Sequence, residues 1–277
     1  MTNFSFEYFP PRNSAQRERF KETHQRLRAL KPEYFSVTFG AGGTTRDETA
    51  DTVDEIRATD PVAPHISCRG GTEDTISALL DRYRAKGVDR LVVLRGDPTS
   101  GSVGGDRFAY ACDLVSFIQQ NYPQQFSIAV ACYPEVHPEA SSAAKDLAYF
   151  RSKVDAGASE AITQYFFNAD AYFRFVDAAT AAGVEVPIVP GIMPVTNYAQ
   201  LKRFSDVCGA EIPRWMEARL RDFGDDKIAI ADFGLEVVGE MCERLIAGGA
   251  PSLHFYTLNR AAATVKLIDA LGLAEAS

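Results

Sequence analysis

The chain has 277 residues, which is long for one average domain but close to the roughly 250 residues of a (β/α)8 barrel. Its 46% hydrophobic and 24% charged content is typical of a soluble globular protein and argues against disorder. The net charge is −8 without any block of Lys or Arg, so the sequence has no electrostatic footprint for nucleic acid or for an anionic membrane surface. The 5 cysteines form no CxxC pair, and neither a signal peptide nor a run of about 18 apolar residues is found, which favours a cytoplasmic location without a membrane span.

Short β-branched or aromatic segments alternate along the chain with helical patterns. The predicted strands are 4–9, 34–39, 64–68, 90–95, 126–133, 161–167, 186–192 and 252–258. Apolar spacing near 3.6 predicts helices over roughly 14–30, 44–59, 72–87, 107–121, 141–156, 169–182, 197–208 and 226–247. Thr45 with Glu48 forms a capping-box pattern, and Gly87 marks a helix end. The alternation predicts parallel strands joined by right-handed helical crossovers.

An open doubly wound sheet would show the same alternation, so the strand ends decide between the two folds. In a barrel the carboxyl ends of all strands meet at one mouth, whereas a doubly wound sheet concentrates polar residues at one switch point. Nearly every predicted strand here ends on a polar or ionisable residue. These residues are Glu7, Thr38, Ser67, Arg95 with Asp97, Tyr133 with Glu135 and His137, Gln164, and Asn259 with Arg260. We therefore predict an α/β fold, a single (β/α)8 barrel over 1–277.

The first strand, FSFEYF (4–9), carries one carboxylate among aromatic residues. Strand alternation places Phe4, Phe6 and Tyr8 on one side, where they can pack against helices. Glu7 then lies on the opposite side and points into the barrel. Because burial disfavours the ionised form of a carboxyl group, Glu7 is a candidate proton donor at the barrel mouth.

Three segments after the fourth and fifth strands leave alternatives open. In LRGD (94–97), Arg95 and Asp97 share one side of an extended chain and form either a structural ion pair or a ligand site, with Gly96 allowing close approach. The Gly/Ser-rich stretch 96–105 is either a lid or phosphate cradle, or a solvated linker. The segment CYPEVHPEA (132–140) is either a binding loop for a polar cofactor or a rigid Pro-bounded rim loop, and spacing does not support a metal site because no second His is near in sequence. No GxSxG or GxGxxG motif is present, so a nucleophile elbow and a Rossmann site are not indicated.

Segments spread in order over nearly the whole chain resemble methylenetetrahydrofolate reductase in its short bacterial form. They are FEYFPPR (6–12), SVTFGAGG (36–43), APHISC (63–68), LRGD (94–97), YPEVHPEA (133–140), KVDAGA (153–158), AITQYFF (161–167), PGIMPVTNY (190–198), IPRW (212–215) and HFYTLNR (254–260). The resemblance implies a (β/α)8 barrel that binds FAD without a Rossmann motif. It also implies a ping-pong reaction in which NADH or NADPH reduces FAD, and reduced FAD passes hydride to 5,10-methylenetetrahydrofolate, giving 5-methyltetrahydrofolate for methionine synthesis.

Site roles follow from the same resemblance. Glu7 would be the general acid that opens the imidazolidine ring of the folate, and Asp97 would modulate flavin reduction and folate affinity. Positions similar to FAD contacts of the family are Thr38, Phe39, His65, Arg95, Gly96, Asp97, Tyr110, Ala111, Tyr133, His137, Asp146 and Lys153. Positions similar to folate contacts are Gln164, Gln200, Phe204 and Arg260, of which Gln164 would also serve the nicotinamide. Phe39, Tyr149 and Ser152 depart from the family pattern, where a Tyr, an Asn and an Arg are common.

The resemblance further implies a homo-oligomer, a tetramer or dimer, and no adenosylmethionine-binding regulatory domain. It does not choose between NADH and NADPH, since no arginine can be assigned to a 2′-phosphate. Two rival functions stay open at this point. One is another flavin-dependent barrel dehydrogenase of the proline type, and the other is a pterin- or flavin-binding barrel without turnover.

Overall fold

A computed structural model describes residues 2–39, 46–69, 71–96 and 107–274. The strands in this part of the chain are β1 (Asn3–Tyr8), β2 (Phe35–Val37), β3 (Val62–Ser67), β4 (Arg90–Leu94), β5 (Ser127–Cys132), β6 (Glu160–Thr163), β7 (Ile188–Val189), β8 (Gly191–Ile192) and β9 (Ser252–Tyr256). The helices are α1 (Ser14–Arg28), α2 (Arg46–Arg57), α3 (Glu73–Ala85), α4 (Ala111–Asn121), α5 (Ala143–Asp155), α6 (Ala169–Ala181), α7 (Tyr198–Cys208), α8 (Arg214–Asp222), α9 (Lys227–Ala247) and α10 (Ala261–Ala270).

All strand pairs are parallel, and the order in the sheet is β7-β6-β5-β4-β3-β2-β1-β9-β8. The predicted strand 186–192 is divided at Pro190, which has no backbone N–H to donate to a neighbour. Its first half, β7, pairs with β6, and its second half, β8, pairs with β9. The Pro190 carbonyl still accepts from His254 N at 3.0 Å. The two halves together serve as one barrel strand, so the predicted (β/α)8 barrel is confirmed.

Two apolar layers surround the sheet. The outer layer lies between strands and helices and contains Phe4, Phe6 and Tyr8 of β1, as alternation predicts. The inner layer fills the barrel with side chains from successive strands. Its buried members are Tyr34, Ala63, Val92, Ala129, Ile162 and Val189. The barrel is therefore a packed core whose usable space lies at its ends.

Helix boundaries agree with the patterns except in a few places. Gly87 has φ +71° directly after the last turn of α3, so the predicted helix end is confirmed. The capping pattern at Thr45 lies outside the described residues. Helix α8 was not predicted, because its one-face apolar pattern covers only nine residues after Pro213. Within the described helices, none is both long and apolar enough to cross a membrane.

Candidate active site

Glu7 lies near the carboxyl end of β1 with its side chain inside the barrel and only 13% exposed. Its carboxylate Oε2 is 3.4 Å from Nε2 of His65 and 3.8 Å from Nε2 of His254. The backbone carbonyl of Glu7 accepts a hydrogen bond from Thr257 Oγ1 at 2.6 Å, which fixes this point of β1 against β9. The sequence prediction of an inward-facing acid at the mouth is confirmed.

His65 is buried beside Glu7 on β3. Burial lowers the pKa of His65 to about 4, with the nearby Glu7 charge opposing the shift and His254 adding to it. The imidazole is therefore neutral at pH 7, and its contact with Glu7 is not an ion pair. Its Nε2 makes no hydrogen bond with any described residue, and neither does the buried Oγ1 of Thr38, which directly follows the neighbouring strand β2. Two buried polar atoms at the mouth thus remain available to a ligand.

His254 on β9 is fully buried beneath Glu7. Its Nδ1 is 2.7 Å from Ser5 Oγ, and its Nε2 is 3.4 Å from Ser36 Oγ. Sequence reasoning did not assign His254 to the site. A signal was present, because Ser5, Ser36 and His254 occupy inward-facing register positions on three adjacent strands.

The end of β4 turns sharply at Gly96, which has φ +81°. A Cβ at this position would lie 2.1 Å from Ser67 Oγ, so the close approach of two strand ends requires glycine. Arg95 points to the rim and pairs with Glu139 at 2.6 Å. The predicted partner Asp97 and the stretch 97–105 lie outside the described residues. Arg95 thus has a structural carboxylate partner that the spacing of LRGD did not indicate.

The loop after β5 is held together by a short series of polar contacts. The ring of Tyr133 packs edge-on against His137 at 4.5 Å. Asp146 accepts from His137 N at 2.9 Å, and His137 Nδ1 accepts from Glu139 N at 3.0 Å. Lys153 is partly buried below this loop and donates to the Ala131 carbonyl. Burial lowers the pKa of Lys153, and the nearby Cys132 and Asp146 oppose the shift. The predicted cofactor residues of this loop are therefore brought together.

The predicted folate contacts are more scattered. Gln164 follows β6 and lines a small cleft with Tyr133, and its Oε1 accepts from Tyr165 N at 3.0 Å. Gln200 and Phe204 lie on α7. Arg260 is exposed and precedes α10. No hydrogen bond or ion pair in the described part of the chain joins any of these four side chains to Glu7.

Two further predicted contacts lie at the start of α4. Ala111 is its first residue, and Tyr110 precedes it with 55% of its surface exposed. The Tyr110 ring lies nearly parallel to that of Tyr149 on α5, with centroids 6.4 Å apart. Tyr149 thus adds a second exposed aromatic ring beside the β5 loop.

Within residues 2–39, 46–69, 71–96 and 107–274, no group of three or more His, Cys, Asp or Glu is placed to hold a metal ion. The fold and the mouth define a (β/α)8-barrel protein with a carboxyl group and unsatisfied polar atoms at the carboxyl ends of its strands, the usual place for barrel active sites. The family model described as methylenetetrahydrofolate reductase matches residues 1–272. The chain belongs to the methylenetetrahydrofolate reductase family.

Curated relatives agree with this assignment. The chain is 41% identical to the 5,10-methylenetetrahydrofolate reductase of Escherichia coli (strain K12) over 273 residues, which are 98% of this chain and 91% of that protein. It is 36% identical to methylenetetrahydrofolate reductase (NADH) 1 of Zea mays, with 100% of this chain and 49% of the maize protein covered.

A solved structure shares the fold. An uncharacterized protein from Clostridium thermocellum, described as binding two copies of 5-methyl-5,6,7,8-tetrahydrofolic acid, superimposes with a TM-score of 0.66. The match covers 99% of this chain and 94% of that one at 16% identity. At this identity the likeness concerns the barrel architecture.

Proposed function

We propose that the protein is an FAD-dependent reductase that converts 5,10-methylenetetrahydrofolate to 5-methyltetrahydrofolate by a ping-pong reaction, with a nicotinamide dinucleotide as the electron donor. The observation that carries the proposal is the inward-facing Glu7 between two imidazoles, in a chain of the methylenetetrahydrofolate reductase family. The product would supply methyl groups for methionine synthesis. The NADH in the name of the maize relative makes NADH the first donor to test, with NADPH as the alternative.

Unpaired polar groups at the mouth support a polar cofactor there. Thr38 Oγ1 and His65 Nε2 are buried there without hydrogen-bond partners among the described residues. The residues proposed to hold FAD are Thr38, Phe39, His65, Arg95, Gly96, Asp97, Tyr110, Ala111, Tyr133, His137, Asp146 and Lys153. When bound, the flavin supplies the hydride chemistry between nicotinamide and folate.

Glu7 is proposed to hold the proton that the reaction needs. From the barrel mouth, its carboxyl Oε would donate this proton to the ring nitrogen that leaves when the imidazolidine ring of the folate opens. The barrel walls leave only 13% of the side chain exposed, which limits competing exchange with water. Gln164, Gln200, Phe204 and Arg260 are proposed to bind the folate, and Asp97 to modulate flavin reduction. A homo-oligomeric state and a cytoplasmic location rest on the resemblance to the family.

The test is the pair of half-reactions in Glu7→Gln, followed anaerobically by flavin absorbance. We expect NADH to bleach the flavin at the wild-type rate, because this step needs no proton from Glu7. Reoxidation by methylenetetrahydrofolate should slow by about 100-fold or more, the usual contribution of a general acid. Normal rates in both half-reactions would exclude Glu7 as the acid.

The wild-type protein separates the rival functions in the same experiment. A proline-type dehydrogenase would be reduced by an amino acid and would not respond to folate. A binding module would show no bleaching and recovery cycle. A purified protein that neither carries nor takes up flavin would contradict the proposal and the dehydrogenase alternative together.

A further inference from the structure

A line of polar side chains crosses the apolar interior of the barrel from Glu7 towards the amino ends of the strands. Below Glu7 comes His254, and His254 Nδ1 is 2.7 Å from Ser5 Oγ. The Ser5 hydroxyl also lies in polar contact with the side chain of Tyr34. The Tyr34 hydroxyl donates to Glu160 Oε1 at 3.3 Å, where β6 begins. We call these five residues the polar column.

The polar column is enclosed by apolar side chains and is closed to water along its middle. His254 is fully buried, Ser5 and Tyr34 are 2% and 3% exposed, and the inner apolar layer surrounds them. Glu160 is only partly buried at the amino ends of the strands. Solvent protons can therefore reach the column at Glu160, at the end opposite the mouth.

The hydrogen bonds of the polar column can be oriented in two ways, because each hydroxyl has one proton to donate and a neutral imidazole has one donor and one acceptor nitrogen. If Tyr34 gives its single proton to an ionised Glu160, Ser5 gives its proton to Tyr34, and Ser5 Oγ must accept from Nδ1–H of His254. A neutral imidazole then presents the Nε2 lone pair to Glu7, which suits a protonated carboxyl group. If Glu160 holds the proton, every hydrogen bond reverses, and Nε2–H of His254 faces an ionised Glu7.

We propose that the polar column relays a proton from Glu160 to Glu7. In the transfer the Oε–H bond of Glu160 breaks, and each of Tyr34, Ser5 and His254 receives one proton and passes one on. An Oε–H bond forms on Glu7, and Glu160 regains its proton from solvent. His254 Nε2 and Glu7 Oε2 are 3.8 Å apart, so the transfer needs a small rotation of the carboxyl group. The inference rests on the proposed role of Glu7 as the general acid.

Burial at the donor end favours a proton on Glu160. Burial raises the pKa of Glu160, with the Arg90 charge as the main opposing influence and Glu33 acting with burial. Arg90 is largely engaged elsewhere, because it pairs with Glu33 at 2.6 Å and lies 5.0 Å over the Tyr34 ring.

At the acceptor end, the titratable neighbours of Glu7 are His65, His254 and Tyr256. His65 is neutral, and burial raises the pKa of Tyr256 well above its usual range, so neither group carries charge at pH 7. Ser36 and the ring of Tyr256 are the remaining polar neighbours of His254.

The test compares Tyr34→Phe and Glu160→Gln in the flavin-loaded enzyme. Each variant breaks the column but keeps its shape, and Tyr34→Phe keeps the ring that packs on His254 and Arg90. We measure the rate of flavin reoxidation by methylenetetrahydrofolate as a function of pH. We expect the high-pH limb of this profile to move about one pH unit towards acid. At a fixed pH on that limb, reoxidation is then about tenfold slower than in wild type. The double variant should add little to either single one, because both cut the same route. Flavin reduction by NADH should stay within about twofold of wild type.

Tyr172→Phe is the matched control, since its buried hydroxyl donates to the Ile188 carbonyl between the sheet and the helices, away from the column. Its pH profile should match that of wild type. An unmoved limb in both column variants would overturn the proposed relay while leaving the reductase function intact. Failure of wild-type reoxidation by folate would instead overturn the proposed function.

A spectroscopic measurement covers the case in which the variants fail to fold. Nitrogen-15 spectra of the wild-type enzyme from about pH 5 to about pH 9 report which ring nitrogen of His254 carries the proton. We expect the proton to move from Nε2 to Nδ1 as Glu160 ionises. A single tautomer over the whole range would contradict the relay.

Discussion

His65 shows how burial sets the charge of one residue and through it the acid stability of the protein. Its pKa is lowered to about 4 in the folded chain by burial, whereas an unfolded histidine titrates near 6.5. Below about pH 6.5 the unfolded state therefore binds a proton that the folded state refuses, and the free energy of unfolding falls as the pH drops towards about 4.

We expect this histidine to account for up to about 3 kcal/mol of stability lost over that window. Urea unfolding of the FAD-free protein at a series of pH values measures the loss. His65→Gln should flatten the pH dependence, and only the contribution of other groups such as His24, whose pKa burial also lowers, should remain. An equally steep loss in His65→Gln would show that His65 is not the responsible group.

Local sequence patterns identified some residues of the site but not others. Alternation alone placed Glu7 inside the barrel, because the side chains of a strand point to opposite faces in turn. It could not find the partner of Arg95, since Glu139 lies 44 residues further on in sequence. It also did not identify His254, because the two serines that contact His254 are distant from it in sequence.

At the scale of elements, helix α9 contains two glycines in different surroundings. A Cβ on Gly234 would lie 2.3 Å from the Val195 carbonyl oxygen, which belongs to the backbone and cannot move aside easily. A Cβ on Gly239 would meet no atom within 4 Å. Gly234 is therefore required for close packing of the helix against Val195. Gly239 has no such packing role and lowers the stability of the helix.

Alanine substitutions should therefore have opposite signs within one helix. Gly234→Ala should destabilise the protein by about 1–3 kcal/mol through overpacking. Gly239→Ala should stabilise it by about 0.5–1 kcal/mol, because alanine loses less backbone entropy in a helix. Thermal and urea denaturation of both variants measure the difference, and a stabilised Gly234→Ala would contradict the close-packing interpretation.

At the scale of the whole molecule, Asn259 joins the first and last strands of the barrel. Its Oδ1 accepts from Phe9 N and its Nδ2 donates to Phe9 O, both at 2.8 Å. Its backbone has φ +54°, a conformation that asparagine tolerates better than alanine. One side chain thus holds the barrel closed just beyond Glu7.

We expect Asn259→Ala to cost about 2–4 kcal/mol, from two hydrogen bonds and the unfavourable backbone conformation. Asn121→Ala is the control, because this exposed amide makes one hydrogen bond to Phe117 O within its own helix. That change should stay within about 0.5 kcal/mol. Equal unfolding midpoints for the two variants would show that Asn259 does not contribute to closure.

The sequence by itself determined the barrel, the order of its elements and the direction of Glu7. These features follow from local periodicity and from polar residues at strand ends, which the chain carries in each short segment. Resemblance to the family added the chemistry expected at the mouth. Asp97 and the neighbouring loop remain predictions.

Only the tertiary structure decided what surrounds Glu7. Strand register placed His254 and Ser5 beneath it, the break at Pro190 closed the barrel, and Glu160 came to the far end of a polar column. These contacts join residues up to 249 positions apart, so no local pattern encodes them. They arise because closing the sheet brings the inward-facing positions of distant strands to one axis.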